Sequence, residues 1–281
     1  MMTAPVLKYR FLWLVSLAFF SCSQKIVPER MTYFPKMKIK VETIPVKEKT
    51  WVFIMAGQSN MAGRGQVERE DTIPHPRILS IDSNGHLIIA KEPLHFYEPS
   101  LTGLDCGMSF ARNLLEKAPA DITILLLPTA VGGSSISQWL GDSVHRQVKL
   151  YSNFLEKLAI AKKYGTLKGI LWHQGESDTN DQGIQLYPER LQQLFERFRK
   201  DAGLNKLPIL LGELGSYSGN QANWKLLNIA IHAYALSDKN SAVIPTGDLH
   251  HKGDQLHFDA KGQREMGKRF ANVWWQQFYQ P

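Results

Sequence analysis

The chain has 281 residues, of which 43% are hydrophobic and 21% charged, a balance that fits a globular protein and excludes a disordered one. The formal net charge of +7 comes from dispersed Lys and Arg, with no basic arm interleaved with aromatics, so nucleic acid is not expected as a partner. The two cysteines, Cys22 and Cys106, exclude a disulfide framework and a CxxC zinc pattern.

The first element is a targeting segment. Lys8 and Arg10 precede the apolar run 11–20, which is about half the length a membrane-spanning helix needs. Ser21 and Cys22 follow, completing the shape of a secretory signal peptide. The tail FFSC resembles a bacterial lipoprotein box, with Phe19 where Leu is usual. That resemblance implies lipidation of Cys22 and export to the periplasm or cell surface, with an N-terminal lipid as the one membrane attachment. The other reading is an ordinary signal cut nearby. Residues 23–48 are polar, basic and proline-containing, a tether leading into the domain at 49–281.

From there, short apolar runs alternate with amphipathic stretches. The runs 51–56, 122–128, 167–173, 208–214 and 241–247 read as strands buried on both faces. Helices are expected over Asp105–Lys117, His145–Tyr164, Leu186–Asp201, Gln221–Ser237 and Ala260–Tyr279. Such alternation predicts an α/β fold: a three-layer α/β/α sandwich, flavodoxin-like, around a five-stranded parallel sheet. Residues 77–90 differ, two apolar runs flanking Asn84-Gly85, and read as a two-residue hairpin decorating the core. Cys106, at the start of a helical stretch, reads as a small packing residue.

Ligands of an open parallel sheet sit beyond the carboxyl ends of its strands. Polar, Gly-rich text follows four of the runs: GQSNM (57–61), TAVGGSS (129–135), HQGESD (173–178), and Gly247-Asp248 with His250, His251, Asp254 and His257. From spacing alone Ser59 reads first as a helix N-cap; it also stands where a strand–Gly turn presents a nucleophilic hydroxyl. His257 has the titration range of a general base, and Asp254, three residues earlier, shares a turn face with it. An acyl-transfer oxyanion has three candidate donors: the N–H of Ser59, the N–H of Gly133 and the side-chain amide of Gln174. Glu176 is either a helix N-terminal carboxylate or a supporting acid. Trp139 is either core or a platform beside a sugar. The His250/His251/Asp254/His257 cluster lacks an H-E-x-x-H-type scaffold, and no metal is expected.

Taken together, AGQSNMAG (56–63), GGSSI (132–136), WHQGESD (172–178) and DQLHF (254–258) resemble the SGNH-hydrolase superfamily, in its sialate O-acetylesterase and carbohydrate esterase family 6 branch. The resemblance runs from Trp51 onward. It implies Ser59 as nucleophile, His257 as base with Asp254 as its acid, and Ser59, Gly133 and Gln174 as the oxyanion hole, Gln standing where the superfamily commonly has Asn. Some members are thought to use a glutamate of the Glu176 block as the acid, so Glu176 is the alternative. The reaction implied is removal of O-acetyl from a carbohydrate, of acetylxylan or sialate type, through an acetyl-serine and without a cofactor. The alternatives are a lipase or thioesterase acting on longer acyl chains, or a lipid-anchored carbohydrate-binding protein without turnover.

Overall fold

The computed structural model describes residues 1–2 and 29–280. The signal-peptide and lipidation readings, Cys22 included, lie outside the described residues. Among the described residues, no helix is long and apolar enough to cross a membrane.

Strands β1 (Ile39–Lys40), β2 (Thr50–Gly57), β3 (Ile78–Ile81), β4 (Leu87–Ile89), β5 (Thr123–Pro128), β6 (Val144–His145), β7 (Val148–Lys149), β8 (Thr166–His173), β9 (Ile209–Gly212) and β10 (Ser241–Ile244) are interspersed with helices. These are α1 (Ser59–Ala62), α2 (Gly107–Leu115), α3 (Ile136–Leu140), α4 (Leu150–Tyr164), α5 (Asp181–Ala202), α6 (Gln221–Ser237) and α7 (Ala260–Phe278). The main sheet has eight strands in the order β1-β4-β3-β5-β2-β8-β9-β10. The five strands expected from the apolar runs are neighbours in it, all parallel.

The sheet is wider than the expected five strands. β3 pairs in parallel with β5, Ile78 opposite Ile124, and carries β4 and then β1 outward in antiparallel pairing. The hairpin therefore belongs to the core, because Ile78, Leu79 and Ile81 are all buried and need cover on both faces. Its loop is also longer than two residues: Asp82 N donates to His86 O, while Asp82 Oδ1 accepts the N–H groups of Asn84 and His86.

β2 is buried along its whole length, and its side chains divide by the two-residue period of a strand. Val52, Ile54 and Ala56 join the cluster that holds Tyr151 and Phe154 of α4, Phe195 of α5 and Leu227 of α6. Trp51, Phe53 and Met55 join the other, with Phe110 of α2 and Phe270 and Trp274 of α7. That division makes the three layers. Cys106 lies in the second cluster, its Sγ 3.8 Å from Met61 Sδ, and burial pushes its thiol pKa well up, as suits a packing residue.

Two helices begin five residues from the expected start, and α2 two residues late, at Gly107. α5 starts five residues before Leu186 because Asn180 caps it by accepting Gly183 N, and Pro188 is held inside the helix instead of in its first turn. α4 starts at Leu150, since Val144–Lys149 fold into a tight hairpin whose tip residues, Arg146 (φ 47°) and Gln147 (φ 66°), are both left-handed. Asp142 then fastens the start of α4, accepting both the N–H and the hydroxyl of Ser152.

Candidate active site

β2 has β5 on one side and β8 on the other, the point at which the crossovers of the sheet diverge. The strand ends at Gly57 with φ +133°, and a β-carbon there would stand 2.1 Å from the carbonyl oxygen of His173 at the end of β8. Only glycine lets the two strand ends come this close while the chain turns. Gln58 N then donates to His173 O, and Ser59 follows as the first residue of α1. Ser59 is not the N-cap; that position is Gln58, which makes no side-chain cap.

The hydroxyl of Ser59 points at the far end of the chain. Its Oγ lies 3.0 Å from His257 Nε2, and His257 Nδ1 lies 2.7 Å from Asp254 Oδ2. The loop that delivers His257 is pinched at its neck, where Asp259 N donates to His250 O and Lys252 N to His257 O. Asp254 Oδ1 accepts the N–H groups of Leu256 and His257, so carboxylate and imidazole share one rigid turn. Partial burial works to raise the Asp254 pKa, but these amides and the His257 ring overcome it and hold the group at about 2. Burial lowers the His257 pKa, and Asp254 only partly offsets that. The imidazole is therefore neutral and basic at pH 7. A base that must be unprotonated gives activity that is lost as pH falls through its pKa. The acid limb of kcat/KM is expected below the ordinary histidine value of about 6.5, and a limb above pH 7 in the profile of an acetyl ester would contradict the assignment.

The three expected oxyanion donors differ in whether they are free to donate. The first N–H groups of a helix have no intrahelical acceptor, and Ser59 opens α1. Gly133 is left-handed (φ 77°), and its N–H has no backbone partner among the described residues. Gln174 is a correction. It is fully buried, and its Nε2 faces three acceptors: Gln58 Oε1 at 3.0 Å, Ser134 O at 3.1 Å and Asp178 Oδ2 at 2.6 Å. With two hydrogens and three acceptors already around it, this amide has no donor left for an oxyanion. It braces the site instead, tying the β5 and β8 loops to Gln58. Trp139 is likewise core: it is fully buried, edge-on to Trp172, and its Nε1 donates to Ser134 Oγ.

Glu176 does not pair with His257; its Oε1 accepts Asn60 Nδ2 at 2.6 Å. Several residues with roles here carry no motif of their own. Gln58 Oε1 also accepts Gly175 N and Ser177 N. Buried Glu98 accepts Gly132 N and pairs with both Arg64 and Arg146, so two guanidinium groups share one carboxylate behind the Gly132–Gly133 turn. The one available signal for Gln58, Asn60 and Arg64 was their place in the GQSNMAGR run; Glu98 and Arg146 had none.

Residues 49–276 match the family described as carbohydrate esterase, sialic acid-specific acetylesterase. A probable carbohydrate esterase of Arabidopsis thaliana is 28% identical over 81% of this chain and 91% of its own length. The crystal structure of that Arabidopsis protein superposes with a TM-score of 0.73 over 82% of this chain and 99% of its own. A probable 9-O-acetyl-N-acetylneuraminic acid deacetylase of Escherichia coli is 25% identical over 54% of this chain and 60% of its own length. A carbohydrate acetylesterase of Xanthomonas citri shares the fold, with a TM-score of 0.63, 18% identity, and coverage of 82% of this chain and 56% of that one. With a family match spanning seven of the eight strands of the sheet and every loop of the site, the chain belongs to the carbohydrate esterase family of sialic acid-specific acetylesterases.

Proposed function

We propose that this esterase removes an O-acetyl group from a sugar through an acetyl-Ser59 intermediate. The observation that carries the reading is the unbroken hydrogen-bond chain Ser59–His257–Asp254 at the end of the central strand. Ser59 Oγ attacks the acetyl carbonyl carbon while His257 Nε2 takes its proton. The N–H groups of Ser59 and Gly133 hold the oxyanion. Collapse breaks the bond from the acyl carbon to the sugar oxygen, which leaves with the proton from His257. Water, deprotonated by the same nitrogen, then attacks the acetyl-serine; acetate departs and Ser59 regains its hydrogen. No step calls for a metal. Acetate release from acetylated sugars, unaffected by EDTA, together with a phosphonate adduct on Ser59, tests the reading. Inhibition by EDTA reversed by zinc, or an adduct on another residue, would overturn it. A p-nitrophenyl ester series favouring long acyl chains over acetate would replace it with the lipase reading.

Of the two sugar types, we propose the acidic, sialate type. Arg146 is half-exposed, and its Nη2 lies 3.7 Å from where a Gly133 β-carbon would be. Glu98 is already paired with Arg64, so the lip of the oxyanion turn carries one positive charge in excess. Two non-glycine residues in left-handed geometry hold that guanidinium there, and such strain concentrates at functional sites. A charge-assisted hydrogen bond contributes about 1.5–3 kcal/mol. Arg146→Gln is therefore expected to raise KM for an acetylated acidic sugar about tenfold more than for acetylated xylan. Equal changes on both substrates would remove Arg146 from substrate recognition.

We further propose that residues 1–22 direct export and that Cys22 carries lipid in a bacterial host, supported by the basic–apolar–Ser–Cys order. Mass spectrometry of the mature N-terminus tests this, and an unmodified residue other than Cys22 at that end would overturn lipidation.

A further inference from the structure

Asn60 follows the nucleophile and is fully buried. A primary amide has two N–H donors and one carbonyl acceptor, and here all are engaged. Nδ2 donates to Glu176 Oε1 (2.6 Å) and to Leu256 O (3.2 Å), while Oδ1 accepts Phe258 N (3.1 Å). Residues 256 and 258 bracket His257. One planar group, covalently next to Ser59, thus holds the backbone on both sides of the base. The other backbone hydrogen bonds of the His257 loop run within the loop itself, at its neck and through Asp254, while Phe258 packs edge-on against His173 and Tyr217. Gln263 Nε2, from α7, anchors the arrangement by donating to Asn60 O.

The amide works in one orientation only. Flipped, Oδ1 would face two acceptors, Glu176 Oε1 and Leu256 O, and Nδ2 would face the Phe258 N–H. Glu176 selects the working orientation, since its Oε1 demands a donor. Its second oxygen, Oε2, is buried without a partner, and no bond joins the carboxylate to His257.

We propose that Asn60 is the positioning residue that sets the Ser59–His257 register, and that Glu176 enters the reaction only by orienting the Asn60 amide. The proposal rests on the serine-esterase reading above. It explains a carboxylate in the QGESD block without making it the acid of the triad.

Four variants test it by acetate release, with the rate of phosphonate labelling at Ser59 as a second readout and thermal melting as a check on folding. Asn60→Asp sets a carboxylate against Glu176 and lets go of Leu256 O. Misplacement of a reacting group by about 1 Å costs about 100-fold, so kcat and the labelling rate are expected to fall about 100-fold with KM within about twofold. Glu176→Gln keeps an acceptor oxygen for Asn60 and is expected to lower kcat about threefold. Glu176→Leu removes the acceptor and is expected to lower it about 30-fold, on the scale of a lost supporting contact. In the double variant Asn60→Asp/Glu176→Gln the new amide donates to the new carboxylate, and kcat is expected to recover about tenfold over Asn60→Asp alone. Asn60→Asp within threefold of wild type would overturn the proposal. So would Glu176→Gln as damaging as Glu176→Leu, because the charge and not the acceptor would then matter. The Glu176 pair decides the matter if Asn60→Asp does not fold. Ser59→Ala in the same assay separates the two levels: turnover surviving it sinks the serine mechanism, whereas its loss leaves Asn60 to be judged on its own variants.

Discussion

Ser59→Ala is expected to lower kcat on the order of 10⁶-fold, the scale seen when a triad serine is removed from a serine hydrolase. The fold has little reason to respond. The Ser59 hydroxyl bonds to His257 and caps nothing, so an alanine methyl group occupies the start of α1 without leaving a buried donor unpaired. Melting temperature and far-UV spectrum should match the parent while acetate release and the phosphonate adduct disappear together. The N–H groups of Ser59 and Gly133, the proposed oxyanion donors, remain, so a trace above the uncatalysed rate is expected. Activity within tenfold of the parent would mean that the attacking oxygen is not that of Ser59.

Asp254→Asn is expected to come second, lowering kcat by about 10³ to 10⁴. Asn Oδ1 still accepts the N–H groups of Leu256 and His257, so the turn keeps its shape. Its Nδ2, however, donates to His257 Nδ1 and drives the hydrogen onto Nε2. The lone pair that must take the Ser59 proton is then lost. A buried triad aspartate changed in this way costs about 10⁴; Asp254 is 36% exposed, and water offsets part of the loss. Removing the carboxylate also removes the one group that raises the His257 pKa, so residual activity should show an acid limb at lower pH than the parent. Steady-state kinetics from pH 4 to 8 reads both effects. A limb that moves up, or kcat within tenfold, would show that Asp254 does not serve His257.

Much of the fold is legible in the sequence. Strands β2, β5, β8, β9 and β10 are short apolar runs, and α6 has the boundaries its periodicity predicts, because burial on two faces and on one face leave distinct patterns. Asp254 and His257 were legible because their geometry is local to one turn. What escaped was whatever depends on partners distant in sequence. Gln174 has the right chemistry for an oxyanion donor, but its amide is claimed by Gln58, Ser134 and Asp178, a competition no spacing reveals. Glu176 likewise could not be assigned until Asn60, 116 residues away, was seen to take it. The hairpin at Arg146 escaped for a local reason: Arg and Gln at its left-handed tip give no turn signal, so the segment reads as the first turn of α4.

The proposed nucleophile and base stand 198 residues apart, one at the end of the first long strand and the other just before α7. The order of synthesis therefore governs when chemistry can begin. A nascent chain that has emerged through β10 possesses Ser59, Gly133 and every strand of the main sheet, yet it has neither the His257 imidazole nor α7 to cover α2. Under the serine mechanism proposed above, hydrolytic competence is expected only once His257 and α7 have emerged, together with the closing of the second core. If Ser59 and His257 act as proposed, a chain stalled before His257, or clipped ahead of it, is expected to be inert with its serine intact.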